Sequence, residues 1–139
     1  MLLVSLAFRN GPAADTPMIL IVEDHSDTRA MYVEFLRHYY RVEEAATAAE
    51  ALDIARRRPP ALLVTDLSLP GMDGLDLIEA LRREGLDHVR TICLSGYGRH
   101  LHEERARRVG CDLMLVKPCL PDVLVEHVGA VLKEGAPGS

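Results

Sequence analysis

Polar side chains end or follow four of the short apolar runs in this sequence. Glu23 and Asp24 come after MILIV, Asp66 comes after LLVT, Ser95 ends TICLS, and Lys117 comes after LMLV. A carboxylate at the end of a buried run needs a partner, because desolvating an unpaired charge is costly. Three carboxylates, one hydroxyl and one ammonium group are therefore candidates for a common site.

These five side chains suit phosphoryl transfer assisted by a divalent cation. Crowded carboxylates repel one another, and each holds its proton unless a cation compensates. Mg²⁺ keeps several waters and is typically held by one or two carboxylates plus phosphate oxygens, which Glu23, Asp24 and Asp66 can offer. An ionised Asp66 can attack a phosphoryl group and form an acyl phosphate. Lys117 would neutralise one phosphoryl oxygen, and the Ser95 hydroxyl would donate a hydrogen bond to another.

The site residues can meet only if strands and helices alternate along the chain. Short apolar runs predict buried strands over 18–22, 61–65, 91–95 and 112–116, with a weaker strand near 41–45. Continuous apolar strands between helices indicate a parallel sheet covered on both faces, with right-handed crossovers. Ligands in such folds bind at the carboxyl ends of the strands. The predicted fold class is therefore α/β, built from five βα units.

Five helical segments are expected to cover this sheet. The first is predicted to place five residues on its inward face: Met31, Tyr32, Phe35, Leu36 and Tyr39. A capping box from Thr47 to Glu50 is expected to open the second. The others are expected from about 75 to 84, near 99 to 109 and from Pro121 onward. The arginines at 99, 105, 107 and 108 are interpreted as a solvated helix face, and the few apolar residues there predict thin packing.

Composition limits the classes of protein to which this chain can belong. Its 139 residues suit one domain, and a net charge of −5 without a concentrated basic arm argues against direct nucleic-acid binding. No apolar run approaches the roughly 18 residues that a membrane helix needs. Cys93, Cys111 and Cys119 have no CxxC spacing, and their odd number fits reduced thiols. We therefore expect a cytoplasmic globular protein in which Cys119, beside the site, is the candidate reactive thiol.

One folded domain and two short flanking segments are expected along the chain. Residues 1–17 are expected to be a flexible N-terminal extension, because Asn10-Gly11-Pro12 and Thr16-Pro17 have the composition of a linker. The opening apolar run is too short for a secretory signal, and no positive charge precedes it. A docking segment is the alternative interpretation of this extension. The folded domain is expected over 18–134, and a C-terminal tail over 135–139.

Four motifs, each at the end of a predicted strand, resemble those of one known family. They are IVED at 21–24, TDLSLPGMDG at 65–74, LSGYG at 94–98 and VKP at 116–118. From Met18 to about Leu132 the chain resembles the receiver domain of two-component response regulators, in its stand-alone, chemotaxis-regulator-like form. The resemblance implies a flavodoxin-like (βα)5 fold, with a doubly wound five-stranded parallel sheet in the strand order 2-1-3-4-5.

The resemblance also implies a role for each site residue. Asp66 would be the phosphoacceptor and, together with Asp24, a direct Mg²⁺ ligand. Glu23 would bind the ion through water, and the backbone carbonyl of Ser68 would complete the protein ligands. Lys117 would pair with the phosphoryl group once it is transferred.

Further expectations concern the switch that would report phosphorylation. Ser95 would be the switch hydroxyl, and the Lys117–Pro118 bond is expected to be cis. Met114 stands where the family often has Tyr, Phe or His, so an aromatic rotamer signal is not expected, although a flexible thioether can still repack. Tyr97 is predicted to cover the approach of water to the phosphoryl group and so lengthen its lifetime.

A receiver of this kind would be a phosphorylation switch and not an enzyme, with slow self-dephosphorylation. A histidine kinase or phosphotransfer protein would donate phosphate to Asp66, and a protein target would bind the face formed by helix 4, strand 5 and helix 5. Only 19 residues follow Leu120, which is too few for an output domain. The output is therefore expected to be protein contact by a monomer or weak dimer, unless the chain is a receiver fragment of a hybrid histidine kinase.

Two other functions are weighed against the receiver. An unphosphorylated pseudo-receiver would act only as a binding module, and it is disfavoured because no site residue is missing. An aspartate-nucleophile phosphatase would share the Mg²⁺ and the acyl phosphate. Such enzymes need a second acid two residues after the nucleophile, where this chain has Ser68.

Overall fold

Strands and helices alternate throughout the part of the chain that the structure describes. The computed structural model describes residues 16–96 and 99–134, without the side chains of residues 99–101. The elements are β1 Met18–Val22, α1 Ser26–Leu36, β2 Arg41–Ala45, α2 Ala48–Arg57, β3 Leu62–Asp66, α3 Gly74–Arg83, β4 Arg90–Ser95, α4 Arg99–Val109, β5 Leu113–Val116 and α5 Pro121–Glu134. Most of the predicted N-terminal extension, the predicted C-terminal tail and Tyr97 lie outside the described residues.

The five strands form one parallel sheet in the order β2-β1-β3-β4-β5, which confirms the predicted fold class and strand order. In register, Ile21 pairs with Val64, and Val64 pairs with Ile92. Strand order reverses between β1 and β3, because β2 lies on one side of β1 and β3 lies on the other. A crevice forms where the chain leaves neighbouring strands in opposite directions. This crevice lies at the carboxyl ends of β1 and β3.

The sheet separates two apolar cores, one on each face. Alternate residues of a strand point to opposite faces, so Leu20 and Val22 enter one core while Ile19 and Ile21 enter the other. Helices α2, α3 and α4 cover the first core, and α1 and α5 cover the second. None of the helices in the described ranges has both the length and the apolar character needed to cross a membrane.

The predicted inward face of α1 is partly wrong. Tyr32, Val33 and Leu36 are buried, whereas Met31 and Phe35 are 39% and 43% exposed. Residues four apart share a helix face, so the pairs 31/35 and 32/36 lie on adjacent stripes, and only the second stripe faces the sheet. Tyr39 comes after the end of α1 at Leu36 and is exposed, because it no longer follows the helical period.

The capping box predicted at the start of α2 forms only in part. The Thr47 hydroxyl accepts a hydrogen bond from the Glu50 backbone N–H at 3.1 Å. The reciprocal bond, from the Thr47 backbone N–H to the Glu50 carboxylate, is not found among the described residues. A complete capping box opens α3 instead. There the Asp73 carboxylate accepts from the Asp76 N–H, and the Asp76 carboxylate accepts from the Asp73 N–H.

All three cysteines are free thiols, as the sequence predicts. Cys93 and Cys119 are buried, and Cys111 is half-buried. Burial raises the pKa of the Cys119 thiol above its ordinary value. Because the thiolate is the nucleophilic form, the structure argues against the interpretation of Cys119 as a reactive thiol.

Candidate functional site

Three of the predicted site residues meet through hydrogen bonds at the crevice. The Lys117 ammonium group donates to Asp66 Oδ2 at 3.0 Å and to Glu23 Oε1 at 3.1 Å. Lys117 follows β5, Asp66 ends β3 and Glu23 follows β1, so the parallel sheet brings them to one edge. The Ser68 backbone N–H donates to the other oxygen of Asp66 at 3.3 Å. Both oxygens of the Asp66 carboxylate are therefore held.

The titration of this cluster reflects competition between burial and charge pairing. Burial raises the pKa of Asp66 above its ordinary value, although the hydrogen bond and charge of Lys117 act in the opposite direction. For Glu23 burial also favours the neutral form, but the bonds from the His25 backbone and from Lys117 outweigh it and lower the pKa. Burial lowers the pKa of Lys117, but its bonds to Asp66 and Glu23 prevail and raise it. The lysine thus remains a cation beside two carboxylates.

Asp24 differs from its neighbours because one of its oxygens has no partner. Asp24 Oδ1 is shielded from solvent, and no hydrogen-bond donor reaches it from the described residues. The imidazole Nδ1 of His25 lies 3.4 Å from this oxygen. A buried carboxylate oxygen without a donor is costly unless a cation satisfies it. Glu23 and Asp24 lie together here, and carboxylate oxygens of this kind fit Mg²⁺.

Ser95 is fully buried at the end of β4 and pairs with Val116 of β5, the residue before Lys117. Its carbonyl accepts a hydrogen bond from the Lys117 N–H at 2.7 Å. The Lys117–Pro118 peptide bond is cis, which confirms the expectation drawn from the family resemblance. Met114 is buried in the core beneath this edge, three residues before the lysine.

Gly74 and Thr65 contact the backbone of Asp66, and neither residue was predicted from the sequence to have a role. A β-carbon on Gly74 would lie 2.4 Å from the Asp66 backbone oxygen and 3.1 Å from the Thr65 methyl group. The Thr65 hydroxyl donates to that same backbone oxygen at 2.9 Å. The Gly74 N–H donates to the Leu67 carbonyl at 2.9 Å, which closes the loop after β3. The glycine in the motif MDG was the available sequence signal for this close approach.

Arg105 contradicts the interpretation of the α4 arginines as a solvated face. Its guanidinium donates to the two oxygens of Asp73 at 2.8 and 3.1 Å, and it also contacts Asp76. Burial raises the pKa of Asp73, but the hydrogen bond from Arg105 and the other bonds that it accepts outweigh burial and lower it. Helix α4 is therefore attached by an ion pair to Asp73, the N-cap of α3, seven residues after the aspartate that ends β3.

An open cleft of about 470 Å³ lies beside the acidic cluster. Its walls include Asp24 and His25 from the loop after β1, Ser68 and Asp73 from the loop after β3, and His102 from α4. A ligand entering this cleft would meet the carboxylate of Asp24 and two imidazoles. No motif in the sequence predicted a site role for either histidine.

Comparison with known proteins identifies the class of this fold and site. The family model for the response regulator receiver domain matches residues 19–129. The chain belongs to this family of receiver domains from two-component systems. This result confirms the resemblance carried by the four sequence motifs.

Two curated relatives are response regulators of different lengths. Transcriptional regulatory protein AfsQ1 of Streptomyces coelicolor is 32% identical over 120 residues, which is 86% of this chain and 52% of AfsQ1. Polar-differentiation response regulator DivK of Brucella ovis is 29% identical over 119 residues, which is 84% of this chain and 97% of DivK. The chain thus spans about half the length of the first relative and nearly all of the second.

Solved structures of similar proteins share the fold. The signal receiver domain of a putative Luxo repressor protein from Vibrio parahaemolyticus aligns with a TM-score of 0.80 and 25% identity, covering 86% of this chain and 92% of that one. Chemotaxis protein CheY4 of Vibrio cholerae aligns with a TM-score of 0.79 and 26% identity, covering 84% and 98%. Both structures align with the α/β domain of this chain.

Proposed function

We propose that this receiver domain is a phosphorylation switch in which Asp66 accepts a phosphoryl group. The observation that supports this proposal most strongly is the position of Lys117, 3.0 Å from one oxygen of Asp66 and 3.1 Å from Glu23. A carboxylate that is buried, ionisable and paired with a single ammonium group suits nucleophilic attack on phosphorus. Glu23 and Asp24 follow β1 and Ser95 ends β4, and these are the two strands that flank β3.

In the transfer step, an Asp66 oxygen forms a bond to phosphorus while the bond from phosphorus to the donor's leaving atom breaks. The electron pair of the broken bond leaves with the donor. Lys117 would exchange its bond to Asp66 Oδ2 for a bond to a phosphoryl oxygen, and the Ser95 hydroxyl would donate to a second oxygen. Charge pairing of this kind stabilises the negative charge that the phosphoryl group carries in the transition state.

Asp24, Asp66 and the backbone carbonyl of Ser68 would hold Mg²⁺ directly, with Glu23 acting through water. The unpartnered oxygen of Asp24 and the three carboxylates fit such an ion. The bound ion would neutralise phosphoryl oxygens and bring donor and acceptor together. We infer that the phosphodonor is a histidine kinase or a phosphotransfer protein.

A protein target would read the modification through the face formed by α4, β5 and α5. Val116 is 48% exposed at the end of β5, and Arg107 and Arg108 are exposed on α4, so this face combines apolar and charged groups. The Arg105 contact to Asp73 would couple this face to the loop that carries Ser68. CheY4 and DivK are named for chemotaxis and polar differentiation. We propose that the output of this chain is contact with another protein.

Labelling with acetyl phosphate tests the proposed function. Intact-mass spectrometry should show a single phosphoryl adduct on the wild-type chain in the presence of Mg²⁺ and none in excess EDTA. The Asp66→Asn variant should remain unlabelled yet fold with equal or higher stability, because the raised pKa of Asp66 means that its ionised form destabilises the folded state at neutral pH. An adduct that persists in this variant would place the phosphate elsewhere. Absence of labelling in the wild type would favour the pseudo-receiver.

A further inference from the structure

We propose that His25 is a ligand of the cation site and makes it selective for transition-metal dications that prefer nitrogen, such as Co²⁺ and Ni²⁺. His25 Nδ1 lies 3.2 Å from Glu23 Oε2 and 3.4 Å from Asp24 Oδ1. One ligand atom from each of Glu23, Asp24 and His25 lies within 4.8 Å of the other two, so an ion bound by Asp24 and His25 would have Glu23 beside it to hold a coordinated water. This inference rests on the proposed metal site and adds a nitrogen donor to its oxygen ligands.

The separation of His25 Nδ1 from Asp24 Oδ1 matches the spacing of two atoms that share one ion. Two ligand atoms that each lie about 2.1 Å from a metal are about 3.0 Å apart at an octahedral right angle and about 3.4 Å apart at a tetrahedral angle. The distance between these two atoms is 3.4 Å. The ring therefore needs little movement to become a ligand beside Asp24.

A purely structural role for the ring is less well supported. The backbone N–H of His25 already donates to Glu23 Oε2 at 3.1 Å, and Lys117 holds the other oxygen of Glu23. Glu23 would therefore keep a hydrogen bond to each of its oxygens without the bond from the imidazole. The ring offers no side-chain cap to α1, although His25 is its N-cap residue.

Two further observations place the ring where an ion would arrive. The His25 side chain is 74% exposed and lines the open cleft, so a hydrated ion can approach it. Beside it, Asp24 Oδ1 has no hydrogen-bond partner among the described residues. An imidazole nitrogen thus lies beside a carboxylate oxygen that has no hydrogen-bond partner among the described residues.

The chemistry of the ligand atoms determines which ions should bind more tightly. Mg²⁺ and Mn²⁺ favour oxygen ligands, whereas imidazole suits the later first-row metals. An added nitrogen ligand should therefore raise the affinity for Co²⁺ and Ni²⁺ and leave the affinity for Mg²⁺ and Mn²⁺ nearly unchanged. The imidazole must be neutral to coordinate, so binding is measured at mildly alkaline pH.

Calorimetric titration of the full chain with each metal ion alone tests the proposal. In the His25→Ala and His25→Asn variants the dissociation constants for Co²⁺ and Ni²⁺ should rise about tenfold, while those for Mg²⁺ should change less than about twofold. His25→Asn is the informative variant, because its amide can still hydrogen-bond to Glu23 but supplies no imidazole nitrogen. His88→Ala, which removes an exposed histidine before β4, controls for binding elsewhere on the surface.

Cobalt absorption provides a second readout of coordination. The visible bands of Co²⁺ bound to the wild type should shift in both His25 variants and stay unchanged in His88→Ala. Unchanged Co²⁺ affinity in both His25 variants, or full retention by His25→Asn, would overturn the proposal. Mg²⁺-dependent labelling by acetyl phosphate is followed separately, so loss of metal selectivity is distinguishable from failure of the phosphoacceptor function.

Discussion

The α-carbon of Gly74 approaches the backbone of Asp66 so closely that a β-carbon there would lie 2.4 Å from the Asp66 carbonyl oxygen. This contact joins the first residue of α3 to the last residue of β3. The Asp66 carbonyl also accepts the Thr65 hydroxyl, so it cannot move without breaking that bond. The position of the candidate phosphoacceptor is therefore determined partly by the absence of a side chain at residue 74.

We predict that Gly74→Ala destabilises the protein and slows phosphate uptake. Two backbones would have to separate to admit the methyl group, and such overpacking costs about 1–3 kcal/mol. Urea unfolding gives the stability, and mass spectrometry during acetyl phosphate treatment gives the rate of labelling. Gly129→Ala is the matched control. Gly129 lies within α5, and a β-carbon there would meet only the Tyr40 hydroxyl, at 3.7 Å. There, alanine should hold or raise stability, because glycine is a poor helix former. Equal stability of Gly74→Ala and wild type would mean that the loop after β3 is not rigid.

We predict that Asp24→Asn weakens Mg²⁺ binding more than Glu23→Gln does. Asp24 has an oxygen without a donor, whereas both oxygens of Glu23 are engaged by Lys117 and His25. Loss of a direct ligand should raise the Mg²⁺ dissociation constant at least about tenfold, and loss of a water-mediated one less. Calorimetric titration measures both constants. Asp27→Asn, which removes the same charge from an exposed position on α1, should have little effect. Equal losses in the first two variants would reject the separate roles.

We predict that Arg105→Gln lowers stability at neutral pH by about 0.5–1 kcal/mol, in keeping with a partly exposed ion pair. The guanidinium helps to lower the pKa of Asp73. A lowered folded-state pKa stabilises the protein above the ordinary carboxyl pKa, and this stabilisation is lost as the pH falls through the folded-state value. The stability difference between wild type and variant should therefore shrink below about pH 4.

Urea unfolding across this acidic range provides the measurement for Arg105→Gln. Arg107→Gln removes an exposed arginine from the same helix and should leave the stability nearly unchanged at every pH. The stability difference between wild type and Arg105→Gln could also stay constant as Asp73 becomes protonated. That result would assign the effect to packing of the long side chain and not to the ion pair.

The strands and the edge at which the candidate site forms could be predicted from local sequence. Runs such as MILIV and LLVTD are buried on both faces, and continuous apolar sequence is typical of a parallel strand covered by helices. A polar residue that ends such a run must lie at the carboxyl edge. Glu23, Asp66 and Lys117 meet there because every strand of the sheet runs in the same direction.

Other features depend on contacts between segments far apart in the chain. Periodicity placed Met31 and Phe35 inward, but the sheet covers only the neighbouring stripe of α1, and periodicity alone does not select between adjacent stripes. Arg105 has the local context of a solvated arginine, and only the packing of α4 beside α3 brings Asp73 within reach.

The sequence by itself determined the residue types of the site, because strand ends and motifs are local patterns. The tertiary structure alone decided the distances on which the chemistry depends. Lys117 lies 94 residues after Glu23 and 51 residues after Asp66, yet it bonds both carboxylates. The packing of the loop after β1 likewise determines that one Asp24 oxygen has no hydrogen-bond partner and that the His25 ring lies near it. Whether a polar atom has a hydrogen-bond partner depends on its neighbours in three dimensions, and no local sequence pattern specifies those neighbours.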